Sequence, residues 1–267
     1  MANARFAYVT LVMKGDDYVC GAVALAKSLR YTKCCIRGAE LVCMVTKDVS
    51  RLEELRNVFD KVTLVDYISY QCGSMMTKRQ NDLYGSWIND SFTKWQCFNL
   101  TQYSKIVYLD ADQVVVQNLD HLFDMETPAM CFRSEFENYY KRFRHGDRIP
   151  LKYCFENVKL LGCTGTLVLT PSRYLLDTIK TCINLSLKQT NTFHNGFEEV
   201  VFAMALIKLN INPVQLSHLY VWNAGSYKCL NKSQPYIINF YGTEKPWNSG
   251  ESVMYMDQYI WKYFASL

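Results

Sequence analysis

Three observations predict an α/β fold for this 267-residue chain. Short β-rich runs alternate with stretches of helical spacing through the first third of the sequence. Those runs are apolar throughout rather than alternating, as strands covered on both faces are. Hydrophobic residues make up 49% and charged residues 20%, enough for a core and too apolar for a largely disordered chain. The length suits one extended domain over residues 1–267.

The elements follow in order. FAYVTLV at 6–12 is the first strand. KGDDY turns the chain, and GAVALAKSL at 21–29 places small and aliphatic residues at helical spacing. LVCMV at 41–45 reads as a buried second strand. Residues 49–59 suit a helix, with Leu52, Leu55, Val58 and Phe59 on one face. VTLV at 62–65 is a third strand. This rhythm is that of a parallel sheet and outlines a nucleotide-binding fold, although the first turn lacks GxGxxG. Residues 67–91 are polar and turn-rich, and read either as a functional lid or as a disordered insert. A helix is expected at 92–100, then the strand KIVYL at 105–109, running into Asp110-Ala111-Asp112. Another strand falls at 129–132, and 133–159 show little periodicity. LLGCTGTLVLT at 160–170 reads as a sheet segment bent at a central glycine. Pro171 suits the first turn of a helix reaching about residue 187, and 198–209 form a further helix. YIINF at 236–240 is a strand, and 254–264 form an aromatic helix that packs on the body.

Lys and Arg total 29 against 25 Asp and Glu, a net charge of +4 with no concentrated basic stripe, so no nucleic-acid partner is expected. Eleven cysteines include no CxxC pair, and the N-terminus shows neither a signal peptide nor a membrane anchor. A reducing, cytoplasmic setting is expected, with most cysteines acting as small buried hydrophobes. In that setting the N-x-[ST] sequons beginning at Asn89, Asn99, Asn184 and Asn231 carry no meaning.

Asp110 and Asp112 follow a hydrophobic strand, and residues two apart on an extended chain project to one side. Two carboxylates held together repel, and a hard divalent cation removes that penalty. The alternative is that both merely end the strand or cap a turn. A second patch is Asn239-Phe240-Tyr241-Gly242 with Lys245-Pro246-Trp247. Gly242 permits close backbone approach, Lys245 offers an ammonium to phosphate, and Asn239 offers an amide oxygen.

The acidic pair after a strand, with GxxKPW near the end, resembles glycosyltransferase family 8, including its glycogenin-like members (some from insect viruses) and galactinol-synthase-like members. FTKWQCFNLTQYSKIVYLDADQVVVQNLDHLF is similar over its whole length to that family's central signature. The resemblance runs from about residue 6 to 247 and is weakest over 135–159. It implies a single-domain Rossmann-like nucleotide-diphospho-sugar transferase fold with a mixed central sheet. It also implies a retaining, metal-dependent hexosyltransferase that moves a hexose from UDP-glucose or UDP-galactose to an unidentified hydroxyl acceptor. Manganese is the implied metal, with magnesium as the alternative, and the resemblance admits a homodimer. A UDP-sugar-binding protein with weak or lost transferase activity is the second reading.

Residue by residue, the resemblance places Leu11 and Tyr18 at the uracil and ribose, and Arg79 in the segment over the donor. Lys94 lies near the sugar and phosphates. Asp110, Asp112 and Asn239 hold the metal, with Ala111, Thr164 and Gly165 beside the donor, and Gly242 and Lys245 on the diphosphate. Glu199, with Lys94 and Asp112, completes the catalytic set. Three positions depart from the family. Asn239 stands where it has histidine, Cys163-Thr164-Gly165 where it often has Asn-Ser-Gly, and Glu199-Val200 where it has an acid followed by glutamine. A one-residue shift in the last register would favour Glu198. Tyr227 is a weak candidate for a self-acceptor.

Overall fold

The computed structural model describes residues 5–35, 38–72, 77–132, 143–158, 162–186, 198–226, 234–242, 244–248 and 256–267. Its strands are β1 (Phe6–Val12), β2 (Glu40–Val45), β3 (Lys61–Leu64), β4 (Lys105–Leu109), β5 (Gln113–Val115), β6 (Ala129–Phe132), β7 (Gly162–Leu169), β8 (Val214–Gln215), β9 (Trp222–Asn223) and β10 (Ile237–Asn239). Its helices are α1 (Val19–Tyr31), α2 (Leu52–Arg56), α3 (Lys78–Tyr84), α4 (Leu151–Tyr153), α5 (Arg173–Ser186), α6 (Glu198–Lys208) and α7 (Asp257–Ser266). Seven strands form the main sheet in the order β3-β2-β1-β4-β7-β6-β8, and β5-β10-β9 form a small one. Within the main sheet only β7 runs against the others. The fold is therefore a Rossmann-like α/β domain with a mixed central sheet.

Strand alternation sorts the core into two layers. Ala7, Val9 and Leu11 of β1 join Ile106 and Tyr108 of β4 beneath α5 and α6. Tyr8 and Val12 join Val107 and Leu109 beneath α1 and α2. A third cluster, with Ala24, Val114, Ile238, Phe240, Trp261 and Phe264, packs α7 and the small sheet against α1. Burial of each large side chain contributes about 1.5–3 kcal/mol.

Several elements differ from the periodicity. The helix expected at 49–59 is shorter, α2 alone, and just before it the Asp16 carboxylate accepts the amides of Ser50 (2.7 Å) and Arg51 (3.2 Å). The helix expected at 92–100 is a 3-10 run, Ile88–Asn99. With three residues per turn, Trp95 and Phe98 lie on one side, their rings stacked at 6.0 Å. Of the polar stretch 67–91, residues 73–76 lie outside the described residues, and the rest holds α3 and the start of that run. The bend in 160–170 is a register slip: Met130 pairs with Leu167, but the next residue, Cys131, pairs with Cys163. Residues 164–166 are thereby freed on their β6 side. The last helix starts at Asp257, whose Oδ2 accepts the Gly225 amide at 2.8 Å. Residues 254 and 255, most of 133–159's first half, and Tyr227 lie outside the described residues.

Chain order positions the site. From β1 the sheet grows through β2 and β3 to one side, while β4 opens the other. At such a switch point, ligands gather beyond the carboxyl ends of the strands. Here those ends are the β1–α1 loop and Asp110-Ala111-Asp112.

Candidate active site

Asp110 leaves β4 with its N–H bonded to the Gly165 carbonyl (2.9 Å) and its own carbonyl accepting from Gln113 N–H (3.2 Å). The chain then turns directly into β5, where Gln113 pairs with Asn239 of β10. Phe240 N–H donates to the Asp112 carbonyl at 2.9 Å. The acidic pair and the late Asn-Lys segment therefore meet at one sheet edge. Lys245 Nζ completes the junction, donating to Asp112 Oδ2 (2.6 Å) and to the Phe240 carbonyl (2.8 Å). Burial alone would lower the Lys245 pKa, but Asp112 and the Tyr18 hydroxyl raise it above its ordinary value, so the ammonium is kept.

Gly21 brings a third segment in. A Cβ there would lie 2.4 Å from the Ala111 carbonyl and 2.8 Å from the Trp247 ring, so only glycine lets α1 approach both. Tyr18, just before α1, meets Trp247 edge-on at 5.4 Å, and Lys245 Nζ lies 5.5 Å from its ring centre. Tyr18 keeps 36% of its surface exposed. Gly242 has φ +103°, a backbone state that disfavours any side chain.

Lys94 anchors the other half of the site. Its buried Nζ reaches the Thr164 carbonyl (3.3 Å) and hydroxyl (3.2 Å), Glu198 Oε1 (3.3 Å) and Asp110 Oδ1 (3.2 Å). Desolvation opposes its charge, yet Asp110 and Glu198 outweigh it and hold the pKa well above the usual lysine value. Asp110 is pushed up to about 6, first by desolvation and then, against the pull of Lys94, by Asp112 and Glu198. Its side chain still has 34% of its surface open. The Thr164 hydroxyl donates to Glu198 Oε1 at 3.2 Å. Glu199 follows on α6 with its Oε2 buried and unpartnered. Burial, and then Glu198, push its carboxyl up to about 8.

The structure thus gathers Lys94, Asp110, Thr164, Gly165 and Glu198 at one pole, and Tyr18, Ala111, Asp112, Asn239 and Lys245 at the other. Glu198, rather than Glu199, carries Lys94. Leu11 is buried in the core opposite Met44. Arg79 is exposed on α3, and its charge acts on Tyr84 of the same helix. Tyr84 Oη in turn bonds Tyr241 Oη at 2.6 Å, tying α3 to the segment after β10.

Sequence reasoning did not single out Gly21, Trp247 as its neighbour, Tyr84 or Gln113. Gln113 is fully buried with Nε2 unpartnered, and its only signal is its place after the acidic pair.

Among the described residues no group of three or more His, Cys, Asp or Glu could hold a metal ion. A cation site here would draw its third oxygen from Asn239, whose Nδ2 is directed at Asn223 Oδ1 (3.4 Å). Two carboxylates and an amide oxygen fit a hard divalent cation. Among the described residues no helix is long and apolar enough to cross a membrane.

The profile of glycosyltransferase family 8 matches residues 10–251. An uncharacterised protein, R707, of Acanthamoeba polyphaga mimivirus is 29% identical over 268 aligned positions, covering 92% of this chain and 83% of the relative. Human glycogenin-1 is 38% identical over 122 positions, covering 45% of this chain and 33% of its own. Mouse glycogenin-1 is 26% identical, over 91% of this chain and 65% of its own. The chain therefore spans less than two thirds of either glycogenin. Among solved structures, the galactosyltransferase LgtC, crystallised with donor and acceptor sugar analogues, superposes with a TM-score of 0.61 at 11% identity, over 97% of this chain and 95% of its own. The glycosyltransferase GlyE of Streptococcus pneumoniae TIGR4 gives 0.61 at 16% identity, over 98% and 60%.

Proposed function

This chain belongs to glycosyltransferase family 8, whose reaction moves a sugar from a nucleotide-sugar donor to an acceptor, and we propose that here the donor is UDP-glucose or UDP-galactose and the acceptor a hydroxyl group. One observation carries the reading: Lys245 Nζ lies 2.6 Å from Asp112 Oδ2, joining the acidic turn after β4 to the lysine after β10. Both parts of a diphosphate cradle, carboxylates for a cation and an ammonium for phosphate, occupy the switch point of the sheet.

In this reading Asp110, Asp112 and Asn239 would hold a manganese or magnesium ion. That ion supplies positive charge to the diphosphate leaving group. Lys245, fixed by the Phe240 carbonyl, donates to a phosphate oxygen. Gly242 admits the diphosphate to the backbone, and Tyr18 forms a wall near the ribose. Lys94 orients Asp110 and Thr164 on the sugar side, Gly165 leaves room there, and Glu199 faces the same pole. Arg79 and α3 cover the donor from outside. The departing phosphate oxygen takes the proton of the incoming hydroxyl on the same face, which retains the anomer without a strong protein base. The same reading sets the protein in a reducing, cytoplasmic compartment, with most of its cysteines acting as small buried hydrophobes.

Incubation with UDP-glucose and UDP-galactose, with and without manganese, followed by measurement of UDP release and of hexose transferred to candidate hydroxyl acceptors, tests the reading. Metal-stimulated release from one donor is expected, and no release from either donor rejects it. A second reading is favoured by Asn239, whose amide engages Asn223. It is a protein that binds a UDP-sugar with little turnover, and it predicts binding without UDP release.

A further inference from the structure

The sugar-side pole holds more carboxyl groups than cations. Among the described residues Lys94 is its one buried ammonium, and it bonds Asp110 Oδ1 at 3.2 Å and Glu198 Oε1 at 3.3 Å. Glu199 is a third carboxyl on the same side, and among the described residues no cation is bonded to it. Its Oε2 is buried without a hydrogen-bond partner, although the side chain as a whole keeps some open surface. A buried carboxylate oxygen with no donor is costly, whereas a carboxylic acid in the same place costs far less and has a proton to give.

We propose that Glu199 works as a neutral carboxylic acid, a buried proton donor that hydrogen-bonds an oxygen of the transferred sugar beside Lys94 and Asp110. The inference rests on the transferase reading for the identity of its ligand, but not for the protonation of the group.

Among the described residues, the titratable and charged groups that act on Glu199 come from five elements. Lys94 projects from the 3-10 run, Asp110 from the end of β4, Cys163 from β7, Tyr84 from α3, and Glu198 from the same helix. A backbone hydrogen bond to the Glu199 carboxyl and, after it, Lys94 favour the ionised form, and the charge of Lys94 is already shared between two carboxylates. Asp110 and Glu198 oppose ionisation. Cys163 is held as a thiol, pushed up to about 11 mainly by burial, and Tyr84 is a neutral phenol, pushed up to about 12 first by burial. Glu199 itself, pushed up to about 8 by burial, remains mostly protonated at pH 7. For an acid with a raised pKa, the donor form is present below that value and is lost as pH rises through it.

A neutral acid and an amide share the ability to donate, and a carboxylate lacks it. Glu199→Gln therefore separates the two states. UDP release from UDP-glucose and from UDP-galactose, with water as acceptor, is to be followed from pH 6 to 10 in the wild-type protein, Glu199→Gln and Glu199→Ala. Wild-type kcat/KM is expected to fall about tenfold per pH unit above roughly pH 8. Glu199→Gln should lack that fall and should stand above Glu199→Ala, whose kcat/KM is expected to drop about tenfold or more at pH 7. In parallel, infrared spectra of the ligand-free protein with labelled glutamate should show a protonated carboxyl band at pH 7. The band should disappear near pH 8 and be missing from Glu199→Gln. An unchanged alkaline fall in Glu199→Gln, or no protonated band at pH 7, overturns the proposal. A protonated band together with no UDP release from either sugar overturns the transferase reading, and with it the sugar as the partner of this acid.

Discussion

The two buried lysines of the site differ in what surrounds them. Lys94 has two carboxylates, a hydroxyl and a carbonyl within 3.3 Å, from β4, β7 and α6. Lys245 has one carboxylate and one carbonyl, both from segments at the edge of the small sheet, with the Tyr18 hydroxyl beside them. The first is a hub that holds three elements of the main sheet layer in place. The second is a single pair that a phosphate oxygen can exchange. One fold thus uses the same residue type once as architecture and once as a ligand-facing charge, and the number of carboxylates on each tells them apart.

The largest effect expected from breaking this contrast comes at Lys94. Lys94→Met leaves Asp110 and Glu198 without their cation, and removing one side of a buried pair costs about 3–5 kcal/mol, here toward the lower end because Asp110 is partly open. Urea unfolding of the variant should show that loss. An unchanged midpoint would mean that the carboxyls take up protons and that Lys94 is no hub.

Next comes Asp112→Asn, expected to lower metal-stimulated UDP release by about a hundredfold while the fold stays largely intact. Equal turnover and equal metal affinity would remove Asp112 from the donor site. Gly21→Ala follows, since its methyl meets the Ala111 carbonyl. Overpacking of this kind costs about 1–3 kcal/mol, and a drop in melting temperature with weaker UDP binding is expected. Binding and stability equal to wild type would show that α1 does not brace the acidic turn. The smallest effect belongs to Tyr84→Phe. Loss of a largely exposed hydroxyl pair should change stability by less than about 1 kcal/mol and raise KM for the donor a few-fold. A KM equal to that of the wild type would detach α3 from donor binding.

Much of this was readable before any coordinates. Apolar runs fixed β1, β2, β4 and β6, because strands buried on both faces leave a continuous signature. Asp110 and Lys245 stood out because charge beside apolar strands is conspicuous. What escaped depends on contacts distant in sequence. The 3-10 path at 88–99 is decided by stacking of Trp95 on Phe202 at 4.7 Å, 107 positions away. The choice between Glu198 and Glu199 turns on which carboxyl reaches Lys94, and adjacent glutamates at a helix start look alike in sequence. Gly21 reads as one more small residue of a helix until its distance to Ala111 is known.

The pairing of Lys245 with Asp112 has a consequence for how ligands would arrive. In the structure each of these charges already has an internal counter-ion. A cation recruiting Asp112 strands the ammonium, and a diphosphate recruiting Lys245 strands the carboxylate. Only when both come does every charge find a new mate. Cation and nucleotide diphosphate should therefore bind synergistically, each raising the affinity for the other by one common factor, which paired calorimetric titrations would measure.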